Sequence, residues 1–274
     1  MGRSAHSSGR ETHTPGLASL LIINPSSGRG GPDPDELRRE AESLGIHTHL
    51  LQPREDPAAV ANESDADVLG IAGGDGSLAA VADVALERDA LFVCVPYGTR
   101  NHFARDLGLD RNDAPAALHA FEGSERRVDV GRADERLFLN NVSLGVYARL
   151  VHRREHHRRR RQAFARLRAW AILLTHRDPL GITIDGDAIE TRVVLVANNA
   201  YTIDLPTIGA RERLDEGALH LYVPGDERVG ERFVVDSAQG RLQAAVDGEP
   251  DVLETPIEFT IEPRALRVLV PDGD

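Results

Sequence analysis

Apolar stretches alternate with polar ones along the first half of the chain. A short apolar run bounded by polar or glycine-rich residues predicts a buried strand, and apolar residues spaced three or four apart predict a helix. The predicted elements are strands at 17–23, 46–51, 68–72 and 91–95, helices at 35–44 and 78–86, and a further helix start at 57–61. Strands that alternate with helices favour a parallel sheet with helices on both faces.

The pattern changes near Val128, where short strands separated by turns replace this alternation. We predict an α/β domain at 17–127 and a mostly β domain at 128–261. Residues 1–16 are expected to be a disordered leader, and 262–274 are expected to pack back onto the α/β domain. The predicted elements of the second half are strands at 137–140, 181–184, 191–197, 218–223 and 244–246, and one helix at about 154–174.

Composition excludes several classes of function. All 32 basic residues are arginine, and the absence of lysine excludes a P-loop, a Schiff base and a lysine general base. A net charge of -12 and an aromatic content of 4% argue against nucleic acid as a partner. Cys94 is the single cysteine, so the chain forms no intramolecular disulfide and no cysteine-rich zinc site. No apolar stretch reaches the roughly 20 residues that cross a bilayer.

Three polar loops follow three of the predicted strands. The glycine loop (73–77) lets its backbone approach a ligand closely, and the N–H groups of the helix after it favour phosphate. Asp75 in this loop suits a metal ion or a bound water better than a phosphate. The Asn24 loop (24–28) and the Thr99 loop (96–101) supply hydroxyls and amides. Each loop alone is also typical of a tight turn, but ligands of parallel sheets bind beyond the carboxyl ends of the strands.

Further motifs extend this set. Val-Asp-Val-Gly stands at 128–131, Phe-Leu-Asn-Asn at 138–141 and Val-Asp-Gly-Glu at 246–249, and the Thr99 loop continues to Arg105. Together with the three loops, these motifs resemble the diacylglycerol kinase catalytic family, which includes sphingosine and ceramide kinases and bacterial lipid kinases. Their order and spacing agree over nearly the whole chain. A glycine-aspartate-glycine loop also occurs in phosphofructokinases and NAD kinases, so the full set is what makes the resemblance specific.

The resemblance implies an N-terminal α/β nucleotide-binding domain, a C-terminal β-sandwich and an active site in the cleft between them. It implies ATP and Mg²⁺ as cofactors and a lipid hydroxyl as the phosphate acceptor. The nucleotide-binding residues that it implies are Asn24, Pro25, Ser26, Ser27, Gly28, Gln52, Gly73, Gly74, Asp75, Gly76, Ser77, Thr99 and Asn101.

Asp247 and Glu249 flank Gly248 in a predicted hairpin turn, the acidic turn (247–249). From the residues alone, a solvated β-turn is the simpler interpretation. The resemblance implies instead that this turn holds the general base that takes the proton of the lipid hydroxyl. We expect Glu249 to be the base and Asp247 to support it or bind metal, and the reverse assignment stays open.

The resemblance also implies a structural metal site in the loop at 213–218. Glu216 is its expected carboxylate, and Arg213 and Ala218 are expected to contribute backbone carbonyls. The family more often has an aspartate in place of Glu216. Hard cations need oxygens at tight distances, so the longer side chain leaves the occupancy of this site open.

Acidic groups for the catalytic Mg²⁺ are implied at Asp75 and Asp129. His102 departs from the family, which usually has an aspartate there, and the change either is tolerated or disturbs the Mg²⁺ site. Arg100 stands where the family favours a small residue, and it either contacts phosphate or faces solvent. Ser77 replaces a threonine but keeps the hydroxyl.

A basic segment lies between Arg153 and Arg168, in an otherwise acidic chain. Apolar residues at helical spacing overlap it and continue beyond it, from Phe164 to Leu174. A basic amphipathic helix suits the surface of an anionic membrane. A helix packed on the core with a solvated charged face is the alternative.

The function expected from the sequence is ATP-dependent transfer of the γ-phosphate to a lipid hydroxyl. The expected location is the cytoplasm, with peripheral contact with the membrane. One alternative is a kinase of a soluble substrate such as NAD or a sugar phosphate. Another is a nucleotide- or lipid-binding homologue that is impaired in catalysis. The identity of the lipid and the oligomeric state stay open.

Overall fold

The computed structural model of the chain describes residues 16–27, 32–145, 179–202 and 210–272. Within these ranges the strands form a ten-stranded and a six-stranded sheet. The elements of the first half are β1 (Ser19–Ile23), α1 (Pro34–Ser43), β2 (His47–Leu50), α2 (Pro57–Glu63), β3 (Val68–Gly73), α3 (Asp75–Glu87), β4 (Leu91–Pro96), α4 (His102–Asp106), α5 (Ala114–Ala117) and a 3-10 helix (Leu118–Glu122).

The first four strands are parallel and lie in the order β2-β1-β3-β4. Every residue of β3 and β4 is buried, because successive side chains of a strand point to opposite faces and both faces are covered. In β4, Phe92 and Cys94 pack into one apolar cluster, whereas Val93 and Val95 pack into another. This arrangement holds β3 and β4 rigidly and fixes where the loops after them begin.

The helices of this half begin at recognisable signals. Asp33 accepts a hydrogen bond from the N–H of Asp35 and Pro34 follows it, so α1 begins with a capping carboxylate and a proline. Asp56 and Pro57 begin α2 in the same way. Helix α3 has no such cap and begins directly after Gly74.

The second half is built of strands. Its elements are β5 (Ser124–Ala133), β6 (Arg136–Phe138), β7 (Asn141–Gly145), β8 (Ile182–Ile184), β9 (Asp187–Ile189), β10 (Val193–Asn198), β11 (Leu219–Val223), β12 (Asp226–Gly230), β13 (Arg232–Ser237), β14 (Arg241–Val246), β15 (Glu249–Glu254) and β16 (Ile257–Val270). The six-stranded sheet is antiparallel, in the order β12-β11-β10-β7-β14-β15.

One apolar core joins the six-stranded sheet to the antiparallel part of the ten-stranded sheet. Phe138 and Phe259 enter it from the ten-stranded sheet, and Val196 and Leu221 enter it from the six-stranded sheet. Two sheets that share a core between them form a sandwich. The predicted fold class, an α/β part with a parallel sheet followed by an antiparallel β part, is confirmed.

Strands β5 and β16 connect the two parts of the chain. They pair with each other along their length, and the register shifts at a bulge between Glu262 and Leu266. Beyond this bulge β16 pairs in parallel with β4. The proposed boundaries after 127 and 261 each fall inside one of these continuous strands, so the division into domains stays a prediction.

Several predicted elements differ in their bounds from those observed. Helix α3 begins at Asp75 rather than at Leu78, because its apolar spacing starts only after the first turn. The strand predicted at 137–140 is β6, which ends at Phe138. The predicted leader at 1–16 lies almost entirely outside the described residues, and so do the helix at 154–174 and the basic segment. Among the residues that are described, no helix has the length and hydropathy needed to cross a bilayer.

Candidate active site

The carboxyl ends of β1, β3 and β4 bring the three predicted loops together. Strand β3 lies between the other two, and all run in the same direction, so the loops leave the same edge of the sheet. The Asn24 Nδ2 atom donates a 3.0 Å hydrogen bond to Ser77 Oγ. A β-carbon on Gly98 would come within 2.8 Å of the Gly74 α-carbon. The Asn24 loop, the glycine loop and the Thr99 loop therefore form one continuous surface.

The N-terminus of α3 lies within this surface. Gly74 precedes the helix in an extended conformation, and as a glycine it has no side chain to cap the first turn. The first N–H groups of a helix have no partner inside the helix, and with the helix dipole they favour an anion. This end of α3 is therefore suited to a phosphate group.

Asn101 holds the Thr99 loop in shape. Its Oδ1 accepts a 2.9 Å hydrogen bond from the Gly98 N–H, and its Nδ2 donates to the carbonyls of Gly98 and Arg111 at 3.0 and 2.9 Å. The residue is buried and adopts a left-handed backbone, with φ of 47°. Both ends of its amide are therefore engaged within the chain. Thr99 is exposed beside it.

The remaining predicted nucleotide residues lie around this surface. Pro25 and Ser26 follow Asn24, whose Oδ1 accepts a 3.0 Å hydrogen bond from the Ser26 N–H. Gln52 lies after β2, is exposed, and donates a 3.3 Å hydrogen bond to the Leu50 carbonyl. Ser27 is described, whereas Gly28 lies outside the described residues. The nucleotide-binding role of all these residues stays a prediction.

Asp75 and His102 each present a buried polar atom that no described residue engages. Asp75 is 6% exposed, and the backbone N–H groups of His102 and Phe103 hydrogen bond to its carboxylate. Burial raises the pKa of Asp75, although the positive charges of His102 and Arg100 oppose this change. Burial also lowers the pKa of His102, although the negative charge of Asp75 opposes this change. Among the described residues, neither Asp75 Oδ1 nor His102 Nδ1 has a hydrogen-bond partner, and such atoms mark a place for a water, an ion or a ligand.

Asp75 fits a Mg²⁺ ion better than His102 does. Mg²⁺ prefers oxygen ligands, whereas an imidazole nitrogen suits transition metals. The described ranges contain no group of three or more His, Cys, Asp and Glu side chains placed to hold a metal ion. In nucleotide sites, however, Mg²⁺ is held by one or two carboxylates together with waters and phosphates. The free oxygen of Asp75 is compatible with that arrangement.

Asp247 of the acidic turn is engaged by backbone groups. Its Oδ2 accepts a 2.8 Å hydrogen bond from the Leu139 N–H, and its Oδ1 accepts bonds of 2.7 and 3.0 Å from those of Asn140 and Asn141. Burial raises the pKa of Asp247 to about 6, although these three hydrogen bonds favour the ionised form. Asp247 therefore fixes the turn to the segment before β7.

Glu249 of the same turn points toward the glycine loop. A β-carbon on Gly76 would lie 2.5 Å from Glu249 Cγ and 3.5 Å from its Oε1, so the side chain contacts the first turn of α3. Glu249 is exposed, and no hydrogen bond or ion pair to another described residue engages its carboxylate. Of the two assignments that the sequence left open, this geometry favours Glu249 as the base.

Asp129, a predicted metal ligand, is also engaged by backbone groups. Its Oδ1 accepts a 2.7 Å hydrogen bond from the Arg264 N–H in the bulge of β16. Its Oδ2 accepts another of 2.7 Å from the Gly217 N–H. The carboxylate is buried and links β5 to two other segments. These contacts account for its burial, and its role as a metal ligand stays a prediction.

The predicted structural metal site also has internal partners. Glu216 Oε2 accepts a 2.9 Å hydrogen bond from the Ala200 N–H, and the Ala218 carbonyl accepts one of 3.1 Å from the Asn199 N–H. The guanidinium of Arg213 pairs with the carboxylate two residues ahead of it. A cation at this loop would share these oxygens with the chain, so the site stays a prediction.

Arg211 supports the site, and no motif in the sequence predicts this role. Its side chain is fully buried, and its Nε lies 2.8 Å from Asp106 Oδ2 at the end of α4. It donates to the Leu139 carbonyl at 2.6 Å and to Asn140 Oδ1 at 2.8 Å. Leu139 and Asn140 are two of the residues that hold Asp247. Arg211 therefore connects α4 to the segment that fixes the acidic turn.

A cavity of about 410 Å³ lies elsewhere, beside β8 and β9. These strands are at the opposite edge of the ten-stranded sheet from β2. None of the predicted site residues lines it. The contacts among the three loops and the acidic turn, rather than this cavity, define the candidate active site.

Comparison with known proteins agrees with these motifs. Residues 18–133 match the diacylglycerol kinase catalytic domain. The resemblance to the diacylglycerol kinase catalytic family is confirmed. A diacylglycerol kinase of Bacillus subtilis is 30% identical to the chain over 142 residues, which cover 48% of this chain and 47% of that protein. A probable lipid kinase YegS-like of Klebsiella pneumoniae is 28% identical over 140 residues, which cover 47% of this chain and 46% of that protein.

The chain spans about half the length of these curated relatives. A structural comparison extends over more of the chain. A putative diacylglycerol kinase from Bacillus anthracis aligns with a TM-score of 0.73 and 21% identity, covering 95% of this chain and 99% of that one. At 21% identity this similarity supports the fold alone. The activity of the protein is therefore stated below as a proposal.

Proposed function

We propose that the chain is an ATP-dependent lipid kinase that transfers the γ-phosphate of ATP to a lipid hydroxyl. The proposal rests on the contact between Glu249 and Gly76, which sets a carboxylate that no other described residue engages beside the N-terminus of α3. An anion-binding helix end and a proton acceptor then lie next to each other, as transfer to a hydroxyl requires. The family match at 18–133 supports the class of reaction.

The nucleotide binds across the three loops. Its phosphates lie against the uncapped N-terminus of α3, where N–H groups are available and the glycine loop leaves room. The Asn24 side chain and the Ser77 hydroxyl hold each other at 3.0 Å and border that position. Asp75 and the phosphates would hold Mg²⁺, which would neutralise negative charge on the phosphates. This part of the site binds and orients the donor.

The acceptor hydroxyl approaches from the side of the acidic turn. Glu249 takes its proton as the oxygen attacks phosphorus, and a general base of this kind contributes about 10²- to 10⁴-fold to the rate. Asp247 keeps the turn in place through its three backbone hydrogen bonds. The division of roles follows from burial, since Asp247 is enclosed and Glu249 is exposed.

The acceptor is proposed to be a lipid because the curated relatives are named diacylglycerol kinase and probable lipid kinase. A lipid substrate places the protein at a membrane surface, with a cytoplasmic location and peripheral contact. The basic segment between Arg153 and Arg168 is the candidate for that contact. It lies outside the described residues, and its role stays a prediction.

Phosphate transfer to two pools of acceptors tests this function. The protein is incubated with Mg²⁺ and γ-labelled ATP, and with either extracted mixed membrane lipids or a mixture of NAD and sugar phosphates. The expected result is label in the lipid fraction, in a species heavier by one phosphate. Label confined to the soluble pool would identify a different kinase. No label in either pool, with ATP binding demonstrated, would indicate a binding protein impaired in catalysis, and both results would overturn the proposal.

A further inference from the structure

The Arg100 side chain extends from the Thr99 loop to the acidic turn. Its Nη2 lies 3.4 Å from the Gly248 carbonyl, which is long for a hydrogen bond and therefore weak. A β-carbon on Gly248 would come within 2.6 Å of Nη1. Gly248 has φ of 82°, a conformation that suits glycine, and the missing side chain leaves space for the guanidinium. Arg100 thus spans the gap between the nucleotide loops and the turn that holds Glu249.

The positive charge of Arg100 has no acidic partner in the described part of the chain. No carboxylate there lies within ion-pair distance of its guanidinium, and the side chain is exposed. A guanidinium has five N–H donors, and the described residues engage one of them. Its charge nevertheless reaches the glycine loop, since it helps to lower the pKa of Asp75 against burial. Most of its donors are therefore available to a ligand at this place.

The neighbouring geometry indicates which ligand this is. Gly98, two residues before Arg100, packs on Gly74 at the N-terminus of α3. Glu249 packs on Gly76, in the first turn of the same helix. A phosphate chain that begins at the helix end and stops short of Glu249 would have its last group beside Arg100. The chain contains no lysine, so arginine is the side chain that carries a permanent positive charge for phosphate.

We infer that Arg100 binds the terminal phosphate of the bound nucleotide and neutralises its charge during transfer. The inference rests on the proposed function. As the acceptor oxygen bonds to the γ-phosphorus, the bond from that phosphorus to the β–γ bridging oxygen breaks. The acceptor proton goes to Glu249, and ADP leaves with the bridging oxygen. Arg100 holds the group that moves, so it contacts ATP and makes no corresponding contact with ADP.

A structural alternative is that Arg100 only supports the acidic turn through Gly248. The two roles differ in the nucleotide that they affect. A supporting role alters the acidic turn equally whether ATP or ADP is bound. A phosphate-binding role discriminates between a triphosphate and a diphosphate.

The test compares nucleotide affinities of wild type, Arg100→Ala, Arg100→Lys and Arg241→Ala by calorimetry. The ligands are ADP and an ATP analogue with a β–γ imido bridge, which prevents turnover. Arg241 is an exposed arginine at the other end of β14, and its removal controls for the change in net charge. We expect Arg100→Ala to weaken binding of the analogue about 10-fold and to leave ADP affinity unchanged, with a smaller loss in Arg100→Lys.

Turnover provides a second readout on the same variants. We expect the kcat of Arg100→Ala to fall by about 10²- to 10³-fold, the range for removal of one preorganised donor, and Arg241→Ala to match wild type. If Arg100→Ala changes the affinities for the ATP analogue and for ADP equally, or changes neither, the role of Arg100 is overturned. These affinities are measured without an acceptor, so absence of lipid phosphorylation by wild type would count against the proposed function alone.

Discussion

The side chain of Glu249 lies against Gly76, close enough that a methyl group on Gly76 would come within 2.5 Å of Glu249 Cγ. The two residues are far apart in sequence and belong to different parts of the fold. Gly76 is in the first turn of α3, and Glu249 begins β15. The contact therefore joins the proposed phosphate site to the proposed base, and it explains why glycine stands at this helical position.

Gly76→Ala tests this contact. Alanine favours a helix over glycine by up to about 1 kcal/mol, so the variant should unfold at a temperature equal to or above that of wild type. The added methyl group displaces Glu249, and we expect kcat to fall at least about 10-fold, within the range that a general base contributes. Differential scanning calorimetry and steady-state kinetics check the two effects together.

Gly230→Ala is the matched control for that substitution. A β-carbon on Gly230 would have its nearest neighbour at 3.4 Å, an ordinary contact, and β12 is at the far edge of the six-stranded sheet from β15. We expect normal turnover from it. If Gly76→Ala binds ATP more weakly but keeps the kcat of wild type, the methyl group blocks the nucleotide and does not displace Glu249.

His102→Asp should change the response to Mg²⁺. The substitution replaces a ring nitrogen with carboxylate oxygens near Asp75, whose Oδ1 has no hydrogen-bond partner among the described residues, and Mg²⁺ prefers oxygen ligands. We expect half-maximal phosphate transfer at a several-fold lower Mg²⁺ concentration. A Mg²⁺ titration of the initial rate measures this shift. His119→Asp, an exposed change of the same kind, should behave as wild type, and an identical Mg²⁺ curve for His102→Asp would contradict the placement of the ion.

Asp247 should make stability depend on pH. Its pKa is raised from 3.8 to about 6 by burial, so the folded state binds its proton more tightly than the unfolded state does. Its stabilising contribution is present below about pH 4 and is lost as the pH rises through about 6. We expect the difference in unfolding free energy between wild type and Asp247→Asn to shrink over that window in denaturant titrations. A difference that grows with pH would show that the three N–H hydrogen bonds outweigh burial.

Arg211→Ala should destabilise the fold strongly. Its removal leaves the buried carboxylate of Asp106 with only the partly exposed Arg105 as its ion-pair partner, so the loss should approach the cost of about 3–5 kcal/mol for breaking a buried pair. Chemical denaturation measures the loss. Adding Asp106→Asn to Arg211→Ala should recover part of it, because the buried charge that Arg105 alone then compensates is gone. An equal loss of unfolding free energy in Arg211→Ala with and without Asp106→Asn would show that the ion pair does not cause the destabilisation.

The three loops and the fold class were predictable because their signals are local. A glycine-rich segment such as 73–77 after an apolar run is visible in the sequence, and the edge at which parallel strands end brings such segments together. The start of α3 was wrong by one turn, because its first turn contains Asp75, Gly76 and Ser77 and carries no apolar spacing.

The contacts of the acidic residues were not predictable from the sequence. Asp129 and Asp247 look like metal or catalytic groups by type, yet their oxygens accept backbone N–H groups about 90 to 140 residues away. Arg211 pairs with Asp106 across a similar separation. Such partners are set by tertiary packing. The availability of Glu249 is clear only once these other carboxylates are seen to be engaged.

The most direct test of the account compares Glu249→Gln with Glu254→Gln, at opposite ends of β15. Both residues are exposed, and both substitutions remove one negative charge. The measurement is kcat for lipid phosphorylation, together with the Kd for ATP in the same preparations. The account predicts that Glu249→Gln loses about 10²- to 10⁴-fold in kcat, binds ATP normally, and that Glu254→Gln matches wild type. Near-normal turnover by Glu249→Gln would contradict the assignment of the base.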